Sequence, residues 1–297
     1  MKRLISFILF NWLRMLSWLP LSVLYALGTP IYILVYHVLG YRRDTVNMSL
    51  GISFPDKTAK ELAFIEKSFY KHFVQIIMES IKSFSISKDE IHDRVLVDPQ
   101  LLSLAEDYYQ QNKQILIVIG HYGNWEWAAL RLGNATSCQS FAIYNALKNP
   151  FFDRWIKRNR ERFGTLLIPS KNIPEYLEQI TKQPSITAFV GDQSPVHVEH
   201  SYWTDFMGRD TPVFRGFEKY CKQLDATVWY CEMEKLKKGY YRLNFKHITD
   251  HPHLMKTDEI TEIHTKLLEQ TIKRRPEYWL WTHRRWKRAH LKTITSA

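Results

Sequence analysis

Gln114-Ile-Leu-Ile-Val-Ile-Gly120, followed at once by His121-Tyr-Gly-Asn-Trp-Glu126, is the stretch on which the fold turns. The first half is an unbroken, β-branched apolar run, the pattern of a strand buried on both faces. The second half is a turn with a glycine and an asparagine, and the residues from Trp125 to Leu132 then read as a helix. Outward from this strand, Ser140–Tyr144, Thr165–Ile168 and Ser185–Val190 are further short apolar runs. They alternate with helical segments at Trp125–Leu132, Pro150–Phe163 and Ile173–Thr181. That alternation predicts an α/β fold with a mostly parallel central sheet flanked by helices. Upstream, Leu62, Ile65, Phe69, Phe73 and Ile76 recur at threes and fours, so Lys57–Lys82 is a helix, and Gln100–Gln111 is another. Downstream, Ala226–Glu232 and Tyr240–Lys246 form a hairpin across Lys237-Lys238-Gly239. A last helix, Asp258–Lys273, precedes an aromatic, basic tail.

The 297 residues carry 45% hydrophobic and 24% charged side chains, which suits a folded chain. The net charge of +11 directs the surface towards anionic partners, and 10 tryptophans lean towards a membrane–water interface. Cys138, Cys221 and Cys231 have neither the number nor the spacing of a disulfide framework or a zinc site, so they read as reduced thiols. No metal is expected. His197, Glu199 and His200, like His251 and His253, lack the helical spacing and companion ligands that zinc needs.

Near the N-terminus, Lys2 and Arg3 open an apolar run to Leu13. Arg14 interrupts it, and Met15–Gly40 follows without a formally charged residue before Arg42 and Arg43. The second run is long enough to cross a hydrocarbon core of roughly 20 residues, although Pro20 and Pro30 argue against one straight helix. Residues 1–43 are therefore read as a retained hydrophobic membrane anchor, spanning or interfacial, and 44–297 as a single catalytic domain.

In an open α/β sheet, reactive groups gather beyond the carboxyl ends of strands, which is where His121 lies. A neutral imidazole can take a proton from a hydroxyl, and a carboxylate on its other ring nitrogen would fix the tautomer. Glu126 is the candidate for that carboxylate. Five residues along one helix would put the two on different faces, so His121 must sit in the turn and Glu126 in the first helical turn. Gly123 allows the bend and Asn124 can cap the helix; Asn124 is also counted with the substrate-binding candidates.

The block Gly120-His121-Tyr122-Gly123-Asn124-Trp125-Glu126 resembles the H-x4-D/E motif of the glycerolipid acyltransferase superfamily. More narrowly it resembles the bacterial lipid A biosynthesis acyltransferases. Tyr41-Arg42-Arg43 with Asn47 and Phe54-Pro55 resemble the segment after the family's anchor. Asn149-Pro150, Asp153, Arg160 and Arg162-Phe163-Gly164 resemble a second block. Gly191-Asp192-Gln193-Ser194-Pro195, Phe206, Gly208 and Thr211-Pro212 resemble a third, and Pro276–Trp281 with His283–Lys287 the closing tail. The resemblance implies a cofactor-free acyl transfer at an inner, cytoplasmic membrane, with the catalytic domain facing the cytoplasm. It implies acyl-carrier protein as donor, a membrane-lipid hydroxyl as acceptor, and His121 with Glu126 as the catalytic pair. Arg160 would bind phosphate on the acceptor or on the carrier's phosphopantetheine arm. Asp192, also counted with the substrate-binding candidates, would either order the site through hydrogen bonds or serve as a turn residue. Two other readings are a same-superfamily enzyme with a glycerophospholipid, aminolipid or glycan acceptor, and a non-enzymatic basic protein binding membrane or nucleic acid; nucleic acid is not the expected partner. In the tail, Trp279 and Trp281 are expected to pack against the core and the arginines to meet anionic headgroups.

Overall fold

A computed structural model describes residues 2–292, with side chains from residue 6 onward. Met1, the side chains of residues 2–5, which include Lys2 and Arg3, and residues 293–297 lie outside the described residues. The described helices begin with α1 (Lys2–Ser17), α2 (Leu21–Tyr32, continued by a π-helical stretch Ile33–Val38), α3 (Arg43–Ser53), α4 (Ala59–Lys82) and α5 (Lys88–Arg94). Strands and helices then alternate: β1 (Val95–Val97), α6 (Pro99–Gln110), β2 (Ile115–Ile119), α7 (Trp125–Leu132), β3 (Gln139–Tyr144), α8 (Pro150–Arg160), β4 (Leu166–Pro169), α9 (Ile173–Thr181) and β5 (Ser185–Val190). A hairpin of β6 (Tyr202–Phe206) and β7 (Arg209–Val213) follows, then α10 (Gly216–Gln223), β8 (Thr227–Lys237), β9 (Tyr240–Thr249) and α11 (Glu259–Arg274).

Seven strands form one sheet in the order β1-β9-β8-β2-β5-β3-β4, parallel at every pairing except the β8–β9 hairpin. The fold class read from the sequence is the one observed. β2 lies at the centre, every residue of it buried, and is hydrogen-bonded to β8 and β5. Its two faces feed separate cores. Leu116 and Val118 join Phe189, Tyr230 and Trp279 on one side; Ile115, Ile117 and Ile119 join Trp127, Trp229 and Tyr241 on the other.

α4 starts from a capping box, Thr58 accepting from the Glu61 amide while Glu61 accepts from the Thr58 amide. Leu21, Leu24 and Gly28 of α2 are buried, and Gly28 lies close against Val74 and Met78 of α4. Leu21–Val38 is long and apolar enough to cross a membrane. Pro20 does break the N-terminal run, standing at the start of α2. Pro30 instead lies inside the helix, which changes to π geometry three residues later. Large apolar side chains of α1 and of the α2–π segment remain exposed, among them Phe7, Ile8, Trp12, Met15, Ile33 and Val38.

Candidate functional site

β2 and β5 run parallel in register, Ile119 opposite Val190. Residues two positions beyond each strand end are therefore neighbours, and these are His121 and Asp192. The Asp192 carboxylate accepts from the His121 ring at Nδ1 over 2.6 Å, and from the His121 backbone amide over 2.8 Å. The indole N–H of Trp279 donates to it over 2.8 Å. The carboxylate on the ring nitrogen is thus Asp192, where the sequence had suggested Glu126. Strand register brings together residues 71 apart in sequence, while the cap at the start of α7 turns Glu126 elsewhere.

Glu126 instead accepts two bonds from Arg160 of α8, 2.7 Å from Nε and 2.5 Å from Nη2. This fork-to-carboxylate pair lies close enough to His121 for both charges to act on its ring. Burial, the largest single influence, disfavours the imidazolium. The charge and hydrogen bond of Asp192, then the charge of Glu126, outweigh it and hold the His121 pKa above its ordinary value. Burial opposes the Asp192 anion too, yet His121 and the Trp279 bond bring that carboxyl down to about 2. With Nδ1 committed to Asp192, Nε2 is left as the proton acceptor, and the Gln193 side-chain amide stands 3.2 Å from it. Trp125 presents its ring edge-on to the imidazole at 5.2 Å.

The turn holding His121 is braced from below. Gly123 has φ +63°, and a Cβ there would stand 2.8 Å from the Met233 carbonyl oxygen, so only glycine fits. Asn124 caps α7 by accepting from the Trp127 amide, and its NH2 donates to Glu79 over 2.6 Å. Fully buried and engaged at both ends, Asn124 has no face for a substrate; it shapes the turn. Glu79, wholly buried on α4, accepts from Tyr25, Gln75, Asn124 and Tyr241 together. The sequence marks Glu79 only as one polar position on a long amphipathic helix.

The C-terminal tail is stitched to the same turn. The Gly123 amide donates to Tyr278, the Leu280 amide to His121, and Tyr122 forms a β-bridge with Trp279. Trp279, Trp281 and Trp286 are buried, as expected for core packing of the first two. Among the tail arginines, Arg285 departs from the headgroup expectation, while Arg274, Arg275 and Arg284 remain exposed. Arg285 is buried, donating Nη2 to the Pro212 carbonyl beside the Phe206 ring; Arg274 pairs with Glu232 and Arg275 with Glu277. Desolvation brings the Arg285 pKa down to about 10, with the Asp192 charge opposing the fall, so it remains a cation at neutral pH. His283 accepts from the Ser194 amide, and burial holds its pKa near 4, fixing the loop after Asp192 with a neutral ring. Burial raises all three free thiols, Cys138, Cys221 and Cys231, away from the thiolate.

An imidazole oriented by a buried carboxylate, at a strand end and beside a charge pair, is the apparatus for activating a hydroxyl. Comparison with known proteins agrees with that chemistry. Residues 1–288 match the family model described as bacterial lipid A biosynthesis acyltransferase. The lipid A biosynthesis palmitoleoyltransferase of Escherichia coli strain K12 is 25% identical over 275 residues, covering 91% of this chain and 86% of that protein. The lipid A biosynthesis acyltransferase of Shigella flexneri shows the same identity and coverage. The four ordered sequence blocks, the parallel sheet and this family match agree: the chain is an acyltransferase and belongs to the bacterial lipid A biosynthesis acyltransferase family.

Proposed function

We propose that this enzyme moves a fatty acyl group from acyl-carrier protein to a hydroxyl of a lipid A precursor at the cytoplasmic face of the inner membrane. The observation that carries the reading is the His121–Asp192 bond, which orients the imidazole with Nε2 free to act as a base. The acceptor hydroxyl takes the place of the Gln193 amide beside Nε2 and gives up its proton as its oxygen attacks the thioester carbonyl. A C–O bond forms, and the carbonyl oxygen takes up the negative charge of a tetrahedral intermediate. Collapse breaks the C–S bond, and the departing thiolate recovers the proton from the imidazolium. Three of the five Arg160 N–H donors remain outside the Glu126 pair, enough to meet a phosphate of donor or acceptor. Glu126 holds that guanidinium in place and adds its charge to the field on His121.

The test is transfer of radiolabelled acyl chains from acyl-carrier protein to total membrane lipid extract, with wild type beside His121→Ala. Label in a saccharolipid made only by wild type is the expected result. Label in a glycerophospholipid, aminolipid or glycan would replace the acceptor and keep the mechanism. Equal transfer by His121→Ala would overturn the assigned base.

A further inference from the structure

An open cavity of about 460 Å3 lies between α1 and α8, away from His121. Trp155, Arg158 and Asn159 of α8, with Arg162 in the 3-10 turn that continues it, line the cavity at three-and-four spacing, whereas Arg160 points off that stripe to Glu126. From α1 come Phe10 and Arg14, with Trp18 just beyond the helix end. Phe10 stacks on Trp155 at 3.9 Å and meets Phe84 edge-on at 5.3 Å, so the wall between the helices is aromatic.

Three guanidinium groups, Arg14, Arg158 and Arg162, face this space, and no carboxylate lines it. Nearby acids are already committed: Glu161 to Lys157, Glu126 to Arg160, and Asp153 to Tyr144 and the Leu147 amide. Arg162 is fixed by donating to the carbonyls of Ser83 and Ile86, neutral acceptors that leave its charge uncompensated. Asn159 is buried, donates to Ser83, and has a side-chain oxygen with no donor. α1 carries exposed Phe7, Ile8, Trp12 and Met15, an apolar surface suited to a membrane interface. Three cations at that level, beside an aromatic wall, match an anion carried on an apolar chain.

We propose that this cavity binds the phosphorylated headgroup of an anionic membrane lipid, with Arg14, Arg158 and Arg162 around the phosphate and the chain along Phe10 and Trp155. The site shares no side chain with the His121 apparatus and stands independently of the acyl-transfer reading. It gives the enzyme a second grip on the membrane surface, set by headgroup charge.

The full chain in detergent, titrated with phosphatidylglycerol bearing brominated acyl chains, tests this through quenching of tryptophan fluorescence, since Trp18 and Trp155 line the cavity. Saturable quenching is expected, weakened about 30-fold in the Arg14→Gln/Arg158→Gln double variant and largely restored when both arginines become lysine. Both side chains are exposed, so the substitutions leave the core untouched. Brominated phosphatidylcholine is expected to bind wild type and variant alike, and weakly. Equal affinity of wild type for the two lipids, or unchanged phosphatidylglycerol affinity in the double variant, would overturn the proposal. Displacement of the lipid by millimolar inorganic phosphate would likewise reassign the cavity to a free anion.

Discussion

Two carboxylates act on the His121 imidazole, one by direct bond and one through space. Asp192 both orients the ring and stabilises its protonated form, so the acid limb of the pH–rate profile lies above the ordinary histidine value. Asp192→Asn is expected to move that limb to lower pH and to reduce kcat/KM by about 10²–10⁴. Stability follows the same pair. Because the folded pKa of His121 is raised, its contribution is complete below the unfolded value and fades as pH rises through the folded one. Because that of Asp192 is depressed, its contribution is lost as pH falls towards about 2. Melting curves across pH, beside the rate profile, check both directions, and an unmoved acid limb in Asp192→Asn would remove Asp192 from the role. The Glu126–Arg160 pair predicts a pair of opposite shifts. Glu126 raises the His121 pKa and Arg160 lowers it, so Glu126→Gln should shift the ring titration down and Arg160→Gln should shift it up. Nitrogen-15 titration of His121 by NMR reads the two signs directly, and shifts of the same sign would show that the pair does not reach the ring.

At the scale of elements, the site depends on which strand ends lie side by side. The sequence names the turn after β2 as the reactive place, and it names Asp192 at the end of another strand. It cannot announce that β2 and β5 are neighbours in register, since every strand here is a short apolar run that would suit any position in the sheet. Glu126 is near in sequence and so drew the partnership that pairing between strands gives to Asp192. The β6–β7 hairpin escaped for a related reason: Pro212 argues against a strand, yet here it sits in a separate two-stranded ribbon. Its turn, Met207-Gly208 with φ of 57° and 77°, was the available signal. Glu79 is the least visible of the supporting residues and carries a firm expectation. Glu79→Ala leaves buried donors on Tyr25, Gln75, Asn124 and Tyr241 without their shared acceptor, at a cost of about 3–5 kcal/mol. Glu79→Gln keeps the shape and one acceptor oxygen, so thermal melting should place it between wild type and Glu79→Ala. A Glu79→Ala protein as stable as wild type would mean that these bonds do not hold the turn.

For the whole molecule, the apolar N-terminal segment, long enough in Leu21–Val38 to cross a membrane, is also part of the fold. An anchor tethered to a finished domain could be removed without consequence for that domain, and the sequence alone permits this picture. In the structure, Leu21 and Leu24 are buried, Tyr25 donates to Glu79, and Arg43, just beyond the apolar stretch, pairs with Glu66 of α4. Removing residues 1–40 therefore uncovers the α2-facing side of α4 and takes one donor from the carboxylate that braces the His121 turn. Loss of Leu21 and Leu24 burial alone is worth about 3–6 kcal/mol, a large part of the roughly 5–15 kcal/mol by which folded domains are stable. The truncated chain should leave the membrane fraction only as an aggregating or loosely packed species, with a lowered melting temperature and little acyl transfer even in detergent. Membrane flotation, light scattering and a detergent melting curve on residues 41–297 decide between the two pictures. A monodisperse, active truncation with an unchanged melting temperature would restore the separable anchor and leave the α2–α4 contact as incidental packing.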